Sequence, residues 1–337
     1  LGSLFAVSGR KEAIVIMTRP RSTLLFFLIL SGFLLLPSTT PAQPNSHFPN
    51  VELITQDGKK VHFFDDLIKG KIVAIDLIYT TCEYACPLET ARMAQVQKKL
   101  GNRVGQDIFF YSISIDPERD TPAVLKAYME KFHVGPGWLF LTGKKKDIDF
   151  LIRRLGVYQD SDARNNPDGH VPHLLIGNEA TNQWIRGSAL DNPNFQARMI
   201  GDFLDNFKHA DLKAAQASSG NGSPIVNFDR GQYLFGRDCV ACHSIGQGDK
   251  IGPDLLGVTR TRDAQWLARI IQRPDQLLKE KDPLALALLK KYKNVRMPNI
   301  WVSNDELKLL IAYLDAQTVA HDKQAAATAG APNPGQK

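Results

Sequence analysis

Apolar residues between 48 and 212 fall into two kinds of run. Ile72–Ile78 and Ile108–Ile115 are short, rich in β-branched residues and almost unbroken by polar ones. Such runs predict strands buried on both faces. Leu88–Leu100 and Pro122–Phe132 carry helical patterns, and the alternation predicts an α/β sheet domain over 48–212. Residues 213–226 are small and polar and read as a flexible linker. From 227 to 318 the pattern is helical with no strand. It closes on Ser303-Asn-Asp-Glu306, a capping box ahead of Leu307, Leu310, Ile311 and Leu314. Residues 319–337 are rich in Ala, Pro and Gly and are expected to be disordered. The expected fold class is therefore an α/β domain followed by an all-α domain.

One apolar run stands apart. Met17, Arg19 and Arg21 precede the uncharged stretch Leu24–Leu36, and Pro37–Gln43 follows with small residues. A basic start, a short apolar segment and a small residue at a cleavage point read as a secretory signal within residues 1–42, cut after Ala42. Leu24–Leu36 is shorter than the roughly 20 residues that span a bilayer. An uncleaved inner-membrane anchor through residues 24–36 is the alternative. No cysteine stands near the cleavage point, which excludes lipid attachment there. Residues 1–16 precede a plausible initiator Met17 and read as an over-extended reading frame. Export implies an oxidising compartment, a bacterial periplasm.

Composition changes the picture little. At 337 residues, 43% hydrophobic and 23% charged, the chain suits two globular domains. The formal charge is +6, of which residues 1–42 carry half, so the body gives no argument for nucleic-acid binding. Four cysteines are too few for a disulfide scaffold in a chain this long.

Those four cysteines form two pairs. Cys239-Val-Ala-Cys242-His243 is the C-x-x-C-H pattern of covalent c-type haem attachment, in which two thiols add to the vinyl groups and the adjacent imidazole lies under the iron. The motif ends a short amphipathic helix bearing Gly231, Leu234 and Phe235; Gly252-Pro253 and Met297-Pro298 follow. No second Cys or His pair completes a zinc site in this stretch. His243 is its only histidine and Met297 its only methionine. Residues 228–316 resemble class I cytochrome c domains. The resemblance implies one covalently bound haem c, His243 and Met297 as axial ligands, and the Pro253 carbonyl holding the His243 ring N–H.

The other pair is Cys82-Glu-Tyr-Ala-Cys86-Pro87, between a predicted strand and a predicted helix. A helix N-terminus stabilises a thiolate. Thiolates are soft ligands for Cu(I). Residues i and i+4 share a helical face, so both sulfurs can reach one metal or each other. These facts leave a copper site and a redox dithiol equally open.

Tyr79-Thr-Thr-Cys82-Glu-Tyr-Ala-Cys86-Pro87, Ile115-Asp116-Pro-Glu-Arg-Asp-Thr-Pro122 and Leu141-Thr-Gly143 resemble, in order and spacing, the Sco copper-chaperone family. Val51–Val61 with Asp57-Gly58 matches that family's first hairpin. The resemblance covers about residues 48–206. It implies a thioredoxin-like fold, a copper ion (Cu(I)/Cu(II)) held by Cys82, Cys86 and one histidine, and a role in assembling the binuclear copper centre of cytochrome c oxidase. In Gly169-His170-Val-Pro172-His173, Pro172 matches the cis-proline loop that faces the cysteine helix in such folds. The family's histidine lies two residues earlier, which selects His170, with His173 as the alternative. Gly169 stands where the family has Asp, and Glu83-Tyr84 where it often has Pro-Asp.

Two functions follow. In the first, the chain carries copper to the copper-bearing oxidase subunit or another cuproprotein, by metal delivery, thiol reduction or both, and the haem exchanges electrons with a periplasmic donor or acceptor. In the second it is an enzyme, a periplasmic thiol-disulfide oxidoreductase coupled to the haem. One haem carries one electron where a disulfide needs two, which weighs against the second. Peroxiredoxin chemistry is weaker still, with Tyr79 and Ile75 where Thr and Pro are usual. His47, His62, His133, His209 and His321 read as surface residues. Asp120 or Thr121 reads as a helix cap, and Lys144–Lys146 as a solvated turn.

Overall fold

The computed structural model describes residues 48–157, 172–208, 229–300 and 302–329. The expected leader and linker, with His47, His170 and His209, lie outside the described residues. Among those described, no helix is long and apolar enough to cross a membrane.

The first part of the chain builds a seven-stranded sheet from β1 (Glu52–Thr55), β2 (Lys60–His62), β3 (Ile72–Ile78), β4 (Ile108–Ser114), β5 (Trp138–Gly143), β6 (His173–Asn178) and β7 (Gln183–Ser188). Their order is β2-β1-β5-β4-β3-β6-β7. The centre β5-β4-β3 is parallel, and β6 and β7 add antiparallel beside β3. That wiring is thioredoxin-like. β1 and β2 form the expected hairpin, its turn made by Gly58 at positive φ.

Alternation along β3 divides two cores. Ile72, Ala74 and Ile78 face one side with Phe110, Trp138 and Phe140; Val73, Ile75 and Leu77 face the other with Tyr111, Ile113 and Leu141. Helices α1 (Cys86–Leu100), α2 (Pro122–Lys131) and α4 (Pro193–Gly201) cover the first face, and α3 (Lys145–Leu155) covers the second. Burial on both faces is why the strands read as continuous apolar runs. Lys145 and Lys146, expected in a turn, instead open α3.

The second part is helical: α5 (Arg230–Asp238), α6 (Val258–Thr261), α7 (Ala264–Gln272), α8 (Pro274–Lys279), α9 (Pro283–Lys291) and α10 (Asn304–Ala329). Leu234, Phe235, Leu267, Ile271, Leu310 and Leu314 make its core. α5 and α10 cross closely at Gly231, where a Cβ would lie 2.5 Å from the Leu309 carbonyl oxygen. Ser303 and Glu306 make the reciprocal capping bonds expected of them. One expectation is corrected. α10 continues to Ala329, so residues 319–329 are helical rather than disordered. Alanine is the best helix former, and Asp322 anchors the added turns by an ion pair with Arg260 at 2.6 Å.

Residues 46–337 cluster as one unit, and the helical part packs on the α/β part. Ala241, Cys242, Ile251, Val295 and Ile300 join the core that holds Cys82 and Cys86. Arg92 of α1 and Asp238 at the end of α5 form a buried ion pair at 4.0 Å, with side chains 4% and 9% exposed. Asp238 also pairs with Arg237 at 2.6 Å, and Arg92 donates to the Asp191 carbonyl oxygen, so losing Asp238 removes the carboxylate that Arg92 faces but not its every partner. Asp238→Ala is expected to destabilise the native chain by about 3 kcal/mol, read as a lower urea midpoint; an unchanged midpoint would show that Arg92 does not depend on this carboxylate.

Candidate metal and haem sites

β3 delivers Tyr79–Cys82 to the head of α1, and Cys86 is the first residue of that helix. The expected start at Leu88 moves two residues earlier, with Pro87 in the first turn, where its missing N–H costs nothing. The segment from Cys82 to Ala85 is not helical. Instead the Cys82 sulfur lies 3.5 Å from the backbone N of Cys86, which donates to it. The two sulfurs are brought together by a turn closing on a helix terminus rather than by one helical face.

This geometry divides the pair's chemistry. The Cys86 thiol and the Cys86 and Tyr84 amides bond to the Cys82 sulfur and lower its pKa from 9.0 to about 6, against the opposing effect of burial. Cys86 is pushed well above the ordinary thiol range, first by burial, then by its bond to Cys82 and by the Glu89 charge. Near neutral pH Cys82 is a thiolate and Cys86 a thiol that donates to it. Both are buried, at 4% and 0% exposure, and neither is in a disulfide.

Several residues that support the cysteine site were not assigned to it from sequence. Asp120, expected as a possible helix cap, is fully buried and does other work. It accepts from the Thr80 N–H and hydroxyl and, at 2.6 Å, from Ser114 Oγ, tying the cysteine loop to β4. Thr121 caps α2. Thr90 Oγ1 donates to the Cys86 carbonyl at 2.9 Å, so the Tyr128 hydroxyl, 3.1 Å away, donates to Thr90. Glu89 is wholly buried one turn below Cys86. The only available signal was polar residues interrupting the apolar pattern of α1.

Among the described residues no three His, Cys, Asp or Glu side chains form a metal-holding group. His173 opens β6, as expected, and pairs with Ser188. The next residue, Leu174, pairs with Asp76 of β3. Pro172 thus stands near the end of β3 from which the cysteine loop departs. Its carbonyl accepts from Ala189 N at 3.1 Å.

In the helical part, Cys239, Cys242, His243 and Met297 line one apolar cavity with Leu267 and Ile271. The His243 Nδ1 and the Pro253 carbonyl oxygen are 2.8 Å apart. A carbonyl only accepts, so Nδ1 carries the hydrogen and Nε2 keeps its lone pair. Burial lowers the His243 pKa, favouring the neutral, ligating form. Burial also raises both thiols to about 12, aided at Cys239 by the Asp238 charge. Gly252 lies against this imidazole, and a Cβ there would fall 2.7 Å from its Cε1. An apolar cavity, two convergent thiols, an oriented imidazole and a thioether form a donor set that fits a covalently attached haem. His62, His133 and His321 are exposed, as expected.

The comparisons agree with this division. The SCO1/SenC family profile matches residues 39–177 and the cytochrome c profile matches residues 228–318. An SCO2-like protein of Rickettsia felis is 34% identical over 155 residues, spanning 43% of this chain and 72% of the relative. A putative copper-binding protein of Stutzerimonas stutzeri is 28% identical over 162 residues, spanning 47% of this chain and 77% of the relative. A solved SCO1/SenC family lipoprotein of Bacillus anthracis is 27% identical with a TM-score of 0.40, covering 47% of this chain and 94% of that one.

The lowered Cys82 pKa has a signed consequence. An acid whose folded pKa is depressed adds stability that is present above its unfolded pKa, and this is lost as pH falls through the folded value. For Cys82 the window runs from about 9 down to about 6. Ultraviolet thiolate absorbance, taken as wild type minus Cys82→Ser in haem-free, metal-free protein, is expected to titrate near pH 6. A midpoint near 9 would contradict the geometry.

Proposed function

Because the chain belongs to the SCO1/SenC family and carries a cytochrome c domain, we propose that it binds copper for assembly of the copper centre of cytochrome c oxidase or of another cuproprotein, and that its haem domain exchanges electrons in support of that task. Copper is the cargo. Cys82 and Cys86 supply two soft sulfur donors, and His170 completes the set, with His173 the alternative. The observation that carries this reading is the Cys82 sulfur held as a thiolate over the first N–H of α1 beside a second thiol. The approach of Pro172 to the same end of the sheet supports a histidine ligand from the preceding residues. The name of the Stutzerimonas stutzeri relative points the same way.

Haem bound by Cys239 and Cys242 would supply a one-electron centre. This chain's residues do the rest. His243 and Met297 would hold the iron through an imidazole and a thioether, a pair that would raise its potential. Pro253 fixes the imidazole tautomer, and Leu267 and Ile271 line the cavity with apolar surface. Holding copper on both sulfurs, or reducing an acceptor's disulfide, requires both thiols of the first pair to be reduced. Action in a bacterial periplasm, after export through residues 1–42, belongs to the same proposal.

A second reading is favoured by one observation. A thiolate at about pKa 6 beside a buried, high-pKa thiol is also the arrangement of an attacking and a resolving cysteine. Copper titration separates the two. The proposed function predicts stoichiometric, tight Cu(I) binding that falls at least a hundredfold in His170→Ala, an order of magnitude consistent with losing one of three ligands. Unchanged affinity together with rapid disulfide turnover would favour the oxidoreductase. In Met297→Ala the reduced-haem spectrum is expected to lose its His/Met signature; an unchanged spectrum would exclude Met297 as a ligand.

A further inference from the structure

The cysteine pair and the Met297 loop belong to different domains, yet they meet. Glu83, inside the Cys82–Cys86 turn, forms an ion pair with Arg296, the residue before Met297. Between them is a cleft lined by Thr80, Cys82, Pro87, Phe132, Val295 and Arg296. Behind the turn, Ala241 and Cys242 of the haem motif, with Ile251, pack into the core that holds both cysteines. The buried pair Arg92–Asp238 closes the far side, joining the cysteine helix to the helix that leads into Cys239.

From this we propose that the cytochrome domain caps the cysteine pair. With the cap docked, a macromolecular acceptor has no route to Cys82, and it must displace Arg296 from Glu83 to reach the sulfur. The cap and an acceptor would then occupy the same face of the α/β domain in turn. Two features support a cap that can move. Its apolar contacts come from loop residues and a turn rather than from a long helix face. The Glu83–Arg296 contact is a part-exposed ion pair, 33% and 43% exposed, of the kind that contributes about 0–1 kcal/mol. The inference does not rest on copper. It concerns access to Cys82, whatever that sulfur carries.

The test uses the full-length, haem-loaded, reduced and copper-free protein. There the haem thioethers leave only Cys82 and Cys86 as free thiols. The probe is a bulky maleimide, with the modified residue located by peptide mass mapping. Arg296→Glu sets two carboxylates against each other and is expected to speed labelling of Cys82 at least tenfold. Adding Glu83→Arg restores the attraction with signs exchanged and is expected to return the rate to within threefold of wild type. The reduced-haem spectrum is followed in each variant, so that loss of Met297 ligation is separated from opening of the cap. Equal labelling rates in wild type and Arg296→Glu would overturn the proposal. So would a Glu83→Arg/Arg296→Glu variant that stays as fast as the single one with its haem spectrum intact. A failure of copper binding would leave both results readable.

Discussion

The N–H of Cys86, at the first position of α1, bonded to the sulfur of Cys82, is the contact on which the α/β domain's chemistry depends. A helix terminus leaves its first amides without intrahelical partners and carries partial positive charge. A sulfur placed there satisfies a donor and gains a stabilised negative charge in the same contact. Everything around it holds that register. The parallel centre of the sheet ends β3 beneath α1, Asp120 ties Thr80 to β4, and Thr90 with Tyr128 secures the Cys86 carbonyl from below.

The haem domain solves a similar problem by other means. Its imidazole is oriented by a backbone carbonyl rather than by a helix dipole, and Gly252 is required because any side chain would meet the ring. In both places a backbone group, the Cys86 N–H at Cys82 and the Pro253 carbonyl at His243, helps to hold the reactive atom, and at Cys82 the Cys86 thiol adds to it. The two domains meet through loop residues and a turn, and the pairs Glu83–Arg296 and Arg92–Asp238 register one against the other.

Local chemistry was legible in the sequence, and long-range partnership was not. C-x-x-C-H is read from adjacent residues, and Met297 followed because no other methionine lies in its domain. Strands β3 and β4 were plain because burial on both faces leaves an unbroken apolar run. Asp120 looked like a helix cap because Thr121 beside it does cap; its partners, Thr80 and Ser114, lie on other segments. Nothing in the sequence pairs Arg92 with Asp238; the fold sets them together. The end of α10 differs from expectation because alanine-rich sequence suits both a disordered tail and a helix, and the Arg260–Asp322 pair that supports the helix joins residues far apart in sequence. His170 rests on the family resemblance and on the placement of Pro172.

The direct packing of haem domain on α/β domain has a consequence for affinity. Carrying both modules on one polypeptide turns their encounter into a unimolecular event, with an effective concentration on the order of millimolar for short flexible connections. An interface with a dissociation constant in that range, too weak to survive between separate proteins in dilute solution, would still be occupied about half the time. Under the cap proposed above, fusion would let a partly polar contact control access to Cys82 and still yield to a diffusing competitor.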